Sequence, residues 1–353
     1  MNLKIKNLLQ LTVDQDASDL HLLVGSPPII RVDGELTPVT NEGLLGPKEI
    51  EELLEGVMTS EQLGRLSVNK EIDFSISFSD KARFRVNAYT QKGTLAASFR
   101  RIPLLIPSID SLHLPKILHS FTTLKQGLIL VTGPTGHGKS TTLAAIIDEV
   151  NANRACHIIT IEDPIEFVFR PKRAIISQRE MHNDTHSWVV ALRSVLREDP
   201  DVVLVGEMRD YDTIAATLTI AETGHLVFAT LHTNSAAQTV DRIVDVFPDE
   251  QQKQVRLQLS NVLEAVFSMR LIPMITGGRV VAHEIMLGST AIKTAIREGK
   301  SHQIDSIIQT SSEIGMSTME SSLAELVKEG KITLSVAQDY SLRPEELTRL
   351  VRR

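Results

Sequence analysis

From Leu130 to Thr142 the chain reads LVTGPTGHGKSTT, an apolar run that passes into three glycines, a lysine and a cluster of hydroxyls. A strand that ends in glycines and restarts as a helix aims several backbone N–H groups into one small space, where the helix N-terminus adds positive potential. Gly133 to Ser140 fits G-x-x-x-x-G-K-[ST], a loop that cradles phosphates. Gly133, Pro134, Thr135, Gly136, His137, Gly138, Lys139, Ser140 and Thr141 are therefore the expected nucleotide-binding segment. Lys139 is placed for the β- and γ-phosphates of ATP, and the Ser140 hydroxyl for Mg²⁺, which prefers oxygen donors. His137 falls at a variable position and reads as a side chain facing solvent.

Carboxylates follow two later strand-like runs. HIIT leads into IEDPIE, with Glu162, Asp163 and Glu166; DVVLV leads into GEMRD, with Glu207, its strand expected beside the P-loop strand. In open α/β sheets ligands bind beyond the carboxyl ends of strands, and a nucleotide hydrolase needs one carboxylate for the metal's water shell and another for the attacking water. Glu162 and Glu207 fit those tasks, Glu207 joining Ser140 at the metal. Asp163 and Glu166 are further catalytic candidates, with a turn before Pro164 and a solvated glutamate as their plain readings. Two histidines bracket the run LVFATL. His232 closes it, placed to sense a γ-phosphate, and His225 opens it; seven residues apart, they match no metal spacing. His182 and His186 lack the adjacent glutamate of a zinc helix, and Asp184 and Thr185 read as a helix cap.

These groups need a scaffold. After about residue 107, apolar runs (GLILVTG, HIITIED, DVVLVGE, HLVFATLH, RVVAHEIML) alternate with helical patterns, which implies a mostly parallel sheet covered on both faces. Before it, PPIIRVDGEL, EIDFSISF, ARFRVNAYT and LAASFRRI read as strands around one helical stretch from Pro47 to Leu66, a small α+β domain. Between them Pro103, Pro107 and Pro115 mark an irregular linker, and from Thr290 onward the chain reads as helical.

Composition excludes several classes. No apolar run approaches the ~18 residues of a membrane span, and the first residues lack a secretory signal, so a cytoplasmic location is expected. One cysteine, Cys156, forms neither an internal disulfide nor a C-x-x-C zinc site. A formal charge of −7 argues against non-specific nucleic-acid binding, so no nucleic-acid partner is expected.

In order, GPTGHGKS, ITIEDPIE, LREDPDVVLVGEMRD and AETGHLVFATLHTNSA resemble the Walker A, Asp box, Walker B and His box of the secretion and type IV pilus ATPases. The resemblance implies an α/β protein: a PAS-like α+β domain at 1–106, a linker at 107–118, a RecA-like P-loop NTPase core at 119–288 and a helical C-terminal region at 289–353. It implies a hexameric ATP-hydrolysing motor using ATP and Mg²⁺ at the inner face of the cytoplasmic membrane, with an inner-membrane pilus platform protein, the pilus machinery and other pilus ATPases as partners. The family's arginine fingers fall in ARFRVN and SFRRIP, which makes Arg83, Arg85, Arg100 and Arg101 the candidates. Assembly and secretion members usually carry a four-cysteine module that a single cysteine excludes. AIKTAIRE, Ala291–Glu298, is similar to a C-terminal element of the retraction members and reads as an amphipathic contact helix centred on Ile296 and Arg297, although Lys293, Thr294 and Ala295 depart from the family pattern. A retraction motor is expected. An accessory retraction motor, an assembly or secretion ATPase, a nucleotide-dependent regulatory subunit and a RecA-like translocase are the alternatives.

Overall fold

The computed structural model describes residues 2–32, 34–78, 82–102 and 105–352. It divides into two compact units, Met1–Leu105 with Glu166–Val168, and Ile106–Ile165 with Phe169–Arg353. Among the described residues no helix is long and apolar enough to cross a membrane.

The first unit runs α1 (Leu3–Asp14), β1 (Asp19–Leu22), β2 (Ile29–Val32), β3 (Glu35–Pro38), α2 (Pro47–Glu55), α3 (Ser60–Asn69), β4 (Glu71–Phe78), β5 (Ala82–Gln91) and β6 (Thr94–Ile102). Its sheet has the order β3-β2-β1-β6-β5-β4 and is antiparallel throughout. Alternation does the folding work: Ala82, Phe84, Val86 and Ala88 point into the core with helix residues such as Leu9, Ile50 and Leu54, while Arg83 and Arg85 take the other face. PPIIRVDGEL is two strands, β2 and β3, rather than one. The stretch from Pro47 is two helices, because Thr59 and Gln62 form a capping box that starts α3 afresh: Thr59 N–H donates to Gln62 Oε1 at 2.9 Å and Gln62 N–H to Thr59 Oγ1 at 3.2 Å.

The second unit begins with an irregular segment that buries Ile109 and Leu114; Pro103 lies outside the described residues. It continues with α4 (Leu118–Phe121), β7 (Gly127–Thr132), α5 (Lys139–Asn153), β8 (His157–Glu162), β9 (Ile175–Glu180), α6 (Trp188–Val195), β10 (Val202–Val205), α7 (Tyr211–Glu222), β11 (Leu226–Leu231), α8 (Ala236–Asp245), α9 (Asp249–Val262), β12 (Leu263–Pro273), β13 (Arg279–Leu287), α10 (Thr290–Arg297), α11 (Ile304–Thr310), α12 (Met319–Lys328), α13 (Leu334–Tyr340) and α14 (Pro344–Arg352). The sheet order is β13-β12-β7-β11-β10-β8-β9, parallel except for β13, which returns antiparallel on β12. Every residue of β7, β10 and β11 is buried, as a sheet covered on both faces requires.

Three expectations are corrected here. β10 does not lie beside β7; β11 is inserted between them, so Glu207 stands one strand further from the P-loop. Asp184 and Thr185 cap no helix: Ser187 occupies the cap of α6, and Asp184 Oδ2 instead accepts the Glu180 N–H at 2.8 Å. The AIKTAIRE helix turns Ile292, Ala295 and Ile296 into the core, Ile296 being 1% exposed. Its outward residues are Ala291, Arg297 and Glu298.

Candidate nucleotide site

β7 delivers the chain to Gly133, where a side chain has no room: a Cβ there would lie 2.3 Å from the Met269 carbonyl oxygen of β12. Gly138, at φ +90°, makes the left-handed step from which α5 starts. Lys139, the first residue of α5, folds back over its own loop, its Nζ donating to the carbonyls of Gly133 at 2.8 Å and Pro134 at 3.0 Å. Ser140 and Thr141 follow, half-buried, on the first turn. His137 does not face solvent. Its Nδ1 accepts the Leu271 N–H of β12 at 3.0 Å, and burial, aided by Arg270, Lys139 and Arg279, holds its pKa below the ordinary value.

His232 is the first residue after β11, the inserted strand, and it connects the P-loop to Glu207. Its Nδ1 lies 3.3 Å from Thr135 Oγ1 and 3.4 Å from Lys139 Nζ; its Nε2 lies 3.1 Å from Glu207 Oε1. An ammonium only donates and a carboxylate only accepts, so the network assigns the neutral imidazole its proton on Nε2. Glu207 Oε2 in turn pairs with Arg209 Nη2 at 2.8 Å. Arg209 is outside the motif positions read from the sequence, although a cation two residues beyond Glu207 is a legible signal. Its pKa is raised, first by the hydrogen bond to Glu207, with Asp163 adding to the field.

Glu162 ends β8, next to β10, where Gly206 passes so close that a Cβ would sit 3.1 Å from the Ile161 carbonyl and 3.3 Å from the Glu162 Cα. The residue is 9% exposed, and its carboxylate accepts from Thr160 Oγ1 at 2.6 Å and Gln178 Nε2 at 3.2 Å, which orients it. Asp163 is exposed at a turn joined to Pro164 by a cis peptide bond. Glu166 is also exposed and groups with the first unit. His225 is not brought to this place: it stands at the opposite, amino end of β11, where Nδ1 meets the Ile220 carbonyl at 3.0 Å and closes the end of α7.

The four arginines of the first unit separate. Arg85 and Arg100 are directly opposed across β5 and β6, and Arg83 lies two positions away on the same face. Arg100 Nε donates to the buried Asp19 Oδ1 at 2.9 Å, and Arg85 lies 3.7 Å from Asp73. Arg101, opposite Phe84, is on the core-facing side and pairs with Asp16.

Residues 109–277 match the family model described as "Type II/IV secretion system protein". The chain is 49% identical over 341 residues to the "Type IV pilus retractation ATPase PilT" of Pseudomonas aeruginosa, covering 97% of this chain and 99% of the relative. It is 38% identical over 351 residues to the "Type IV pilus ATPase PilU" of the same organism, covering 99% of this chain and 92% of that one. Among solved structures, the crystal structure of the pilus retraction motor PilT with bound ADP superposes with a TM-score of 0.93 at 46% identity, covering 99% of this chain and 100% of that one.

Proposed function

We propose, since the chain belongs to the type II/IV secretion system protein family, that it is an ATP-hydrolysing motor that powers type IV pilus retraction. The observation that carries the catalytic part is the bridge made by His232, one nitrogen toward Lys139 and Thr135 of the P-loop and the other on Glu207. It joins the group that would hold the γ-phosphate to the group that would hold the metal's water shell.

In this reading Lys139 turns from its loop carbonyls to the β- and γ-phosphates, and the backbone from Gly133 to Thr141 encloses them. Glu162, fixed by Thr160 and Gln178, accepts the proton of the attacking water. His232 reports the loss of the γ-phosphate to Glu207. The donor set suits Mg²⁺: the Ser140 hydroxyl would be a hard oxygen ligand, and the Glu207 carboxylate would hold the ion through its water shell. Bound there, the ion would neutralise charge on the phosphate oxygens. Asp163, close enough to Arg209 to raise its pKa, tunes the field at Glu207. Glu166 has no assigned step.

Six copies form a ring in which Arg83, Arg85 and Arg100 of one subunit complete the site of its neighbour, Arg supplying a fixed fork of donors to the γ-phosphate. Arg101 drops out, since it points to the other side of the sheet and is held by Asp16. The ring works at the inner face of the cytoplasmic membrane against a pilus platform protein, and the N-terminal domain, linker, ATPase core and C-terminal region keep the boundaries given above.

The test is turnover by purified protein. Glu207→Gln should bind ATP within a few-fold of wild type yet hydrolyse it about 100-fold more slowly, the scale of one lost charge-stabilising group. Wild-type turnover in that variant would remove Glu207 from the mechanism, and a wild-type protein without ATPase activity would favour a regulatory nucleotide-binding subunit.

A further inference from the structure

One cross-strand row spans the second sheet where the P-loop and His232 leave it. Leu231 pairs with Thr132, Thr132 with Ser268, and Ser268 with Glu284. The Thr132 and Ser268 hydroxyls meet at 2.8 Å, and at the end of the row stands Glu284, 3% exposed, in a run, VVAHEIML, that is apolar but for it and His283. Glu284 Oε1 accepts the N–H of Ala236 at 2.7 Å.

Ala236 is the first residue of α8, and the three residues between it and His232 are knitted to that helix. Asn234 N–H donates to Gln238 Oε1 at 2.8 Å, the Thr233 and Thr239 hydroxyls meet at 2.7 Å, and Thr239 Oγ1 donates to the Ser235 carbonyl at 2.7 Å. Whatever fixes the start of α8 therefore fixes the segment that carries His232. The first N–H groups of a helix have no partner within it, and a carboxylate placed there also meets the positive end of the helix dipole.

We propose that Glu284 is a positioning residue for hydrolysis, holding the start of α8 through Ala236 and thereby the stance of His232 between Lys139 and Glu207. The inference rests on the nucleotide-hydrolase reading of that site.

The C-terminal helices surround this carboxylate with charge. Burial is the largest influence on Glu284 and raises its pKa to about 7; the Ala236 N–H is the main group favouring the ionised form, Asp305 of α11 and Glu320 of α12 oppose ionisation, and Arg343, ahead of α14, favours it more weakly. Arg343 pairs with Asp305, and its N–H and that of Leu342 donate to Glu320 Oε1 at 3.0 and 3.1 Å. The grip on Ala236 thus varies near neutrality, and a shift of Arg343 would be felt at His232.

The experiment is steady-state ATP hydrolysis by the full chain from pH 6 to 8.5, for wild type, Glu284→Gln and Glu284→Ala. Gln keeps an acceptor but no charge, so the ratio of wild-type to Gln kcat, in which shared titrations cancel, should rise about threefold from pH 6 to 8. The Ala variant should lose about tenfold in kcat at pH 8, with KM for ATP changed less than about twofold. A pH-independent ratio, or a folded Ala variant with wild-type kcat, overturns the proposal; if Ala does not fold, the ratio alone decides. An active wild type with a flat ratio sinks this inference only, whereas an inactive wild type sinks the nucleotide-hydrolase reading with it.

Discussion

The second unit keeps two kinds of charged group a few strands apart. At the carboxyl ends of β7, β11 and β10, Lys139, His232, Glu207 and Arg209 touch in sequence at a half-open surface, with the side chains of Glu207, His232 and Arg209 exposed by 22%, 42% and 64%. In the β12–β13 ribbon, half-buried His283 and buried Glu284 are consecutive residues, and the loss of water around them moves them in opposite directions: His283 falls to about 4 and Glu284 rises to about 7. Groups meant for a ligand keep access to it. Groups buried beyond reach act through others, and their signature is written in stability and pH dependence rather than in binding.

The largest effect should come from the open region. Lys139→Ala removes the ammonium proposed to hold the β- and γ-phosphates, and a charge-assisted hydrogen bond contributes about 1.5–3 kcal/mol. With two such bonds at stake, kcat/KM for ATP should fall about 1,000-fold. A loss of less than about tenfold would mean that the loop's backbone donors hold the phosphates without it, and the division between the two regions would blur.

The ribbon pair gives a sharper contrast, because its members oppose each other. His283, stacked on Phe267 with ring centroids 5.9 Å apart, is neutral in the fold down to about pH 4 but charges at about 6.5 when unfolded. The unfolded chain then binds more protons, so this residue makes stability rise with pH from about 4 to 6.5. Glu284 keeps its proton in the fold up to about 7 and loses it near 4.5 when unfolded, so its contribution falls over that window. Between about 4.5 and 6.5 the two cancel. Glu284→Gln should therefore show a stability that climbs by up to about 1.4 kcal/mol per pH unit in urea unfolding, and His283→Asn one that declines by as much. Parallel profiles in the two variants would show that neither group is buried in solution as it is in the fold.

What the sequence revealed follows the same line between local and distant. The P-loop was legible because its chemistry depends on glycine and lysine spacing within nine residues, and Glu162 because its strand is an apolar run. The neighbour of Glu207 was not, since strand order is set by packing across the sheet, and a pattern along one chain does not encode that β11 slips between β7 and β10. β9 and β12 escaped for a related reason: β9 is a half-exposed edge, and β12 carries Glu264, Ser268 and Arg270 among its apolar residues, so neither reads as a continuous buried strand. His225 and His232 were indistinguishable by type. Only the strand's direction places one beside the P-loop and the other at the far edge. Ile296 looked like a contact residue because an amphipathic pattern shows that a helix has two faces without showing which one is covered.

The smallest expected effect lies at a P-loop residue that reaches across to the ribbon. His137 belongs to the P-loop, yet its Nδ1 accepts the Leu271 N–H of β12, beyond Ser268, where the pairing of β12 with Thr132 of β7 has ended. The imidazole thus takes over a ladder bond that no strand supplies. A neutral hydrogen bond of this kind contributes about 1 kcal/mol, so His137→Ala should speed exchange of the Leu271 amide about fivefold at pH 7.5, while neighbouring amides paired with β13 stay unchanged. The bond needs an unprotonated Nδ1, and the fold holds the pKa of His137 below its ordinary value. The contribution is therefore present above about pH 6.5 and is lost as the pH falls through the lower, folded value. Wild-type Leu271, corrected for intrinsic exchange, should approach the Ala variant under acid conditions and diverge from it at neutrality. Equal protection in both proteins at pH 7.5 would leave the P-loop and the ribbon uncoupled at this point, and His137 would revert to the solvent-facing side chain that its place in the motif suggests.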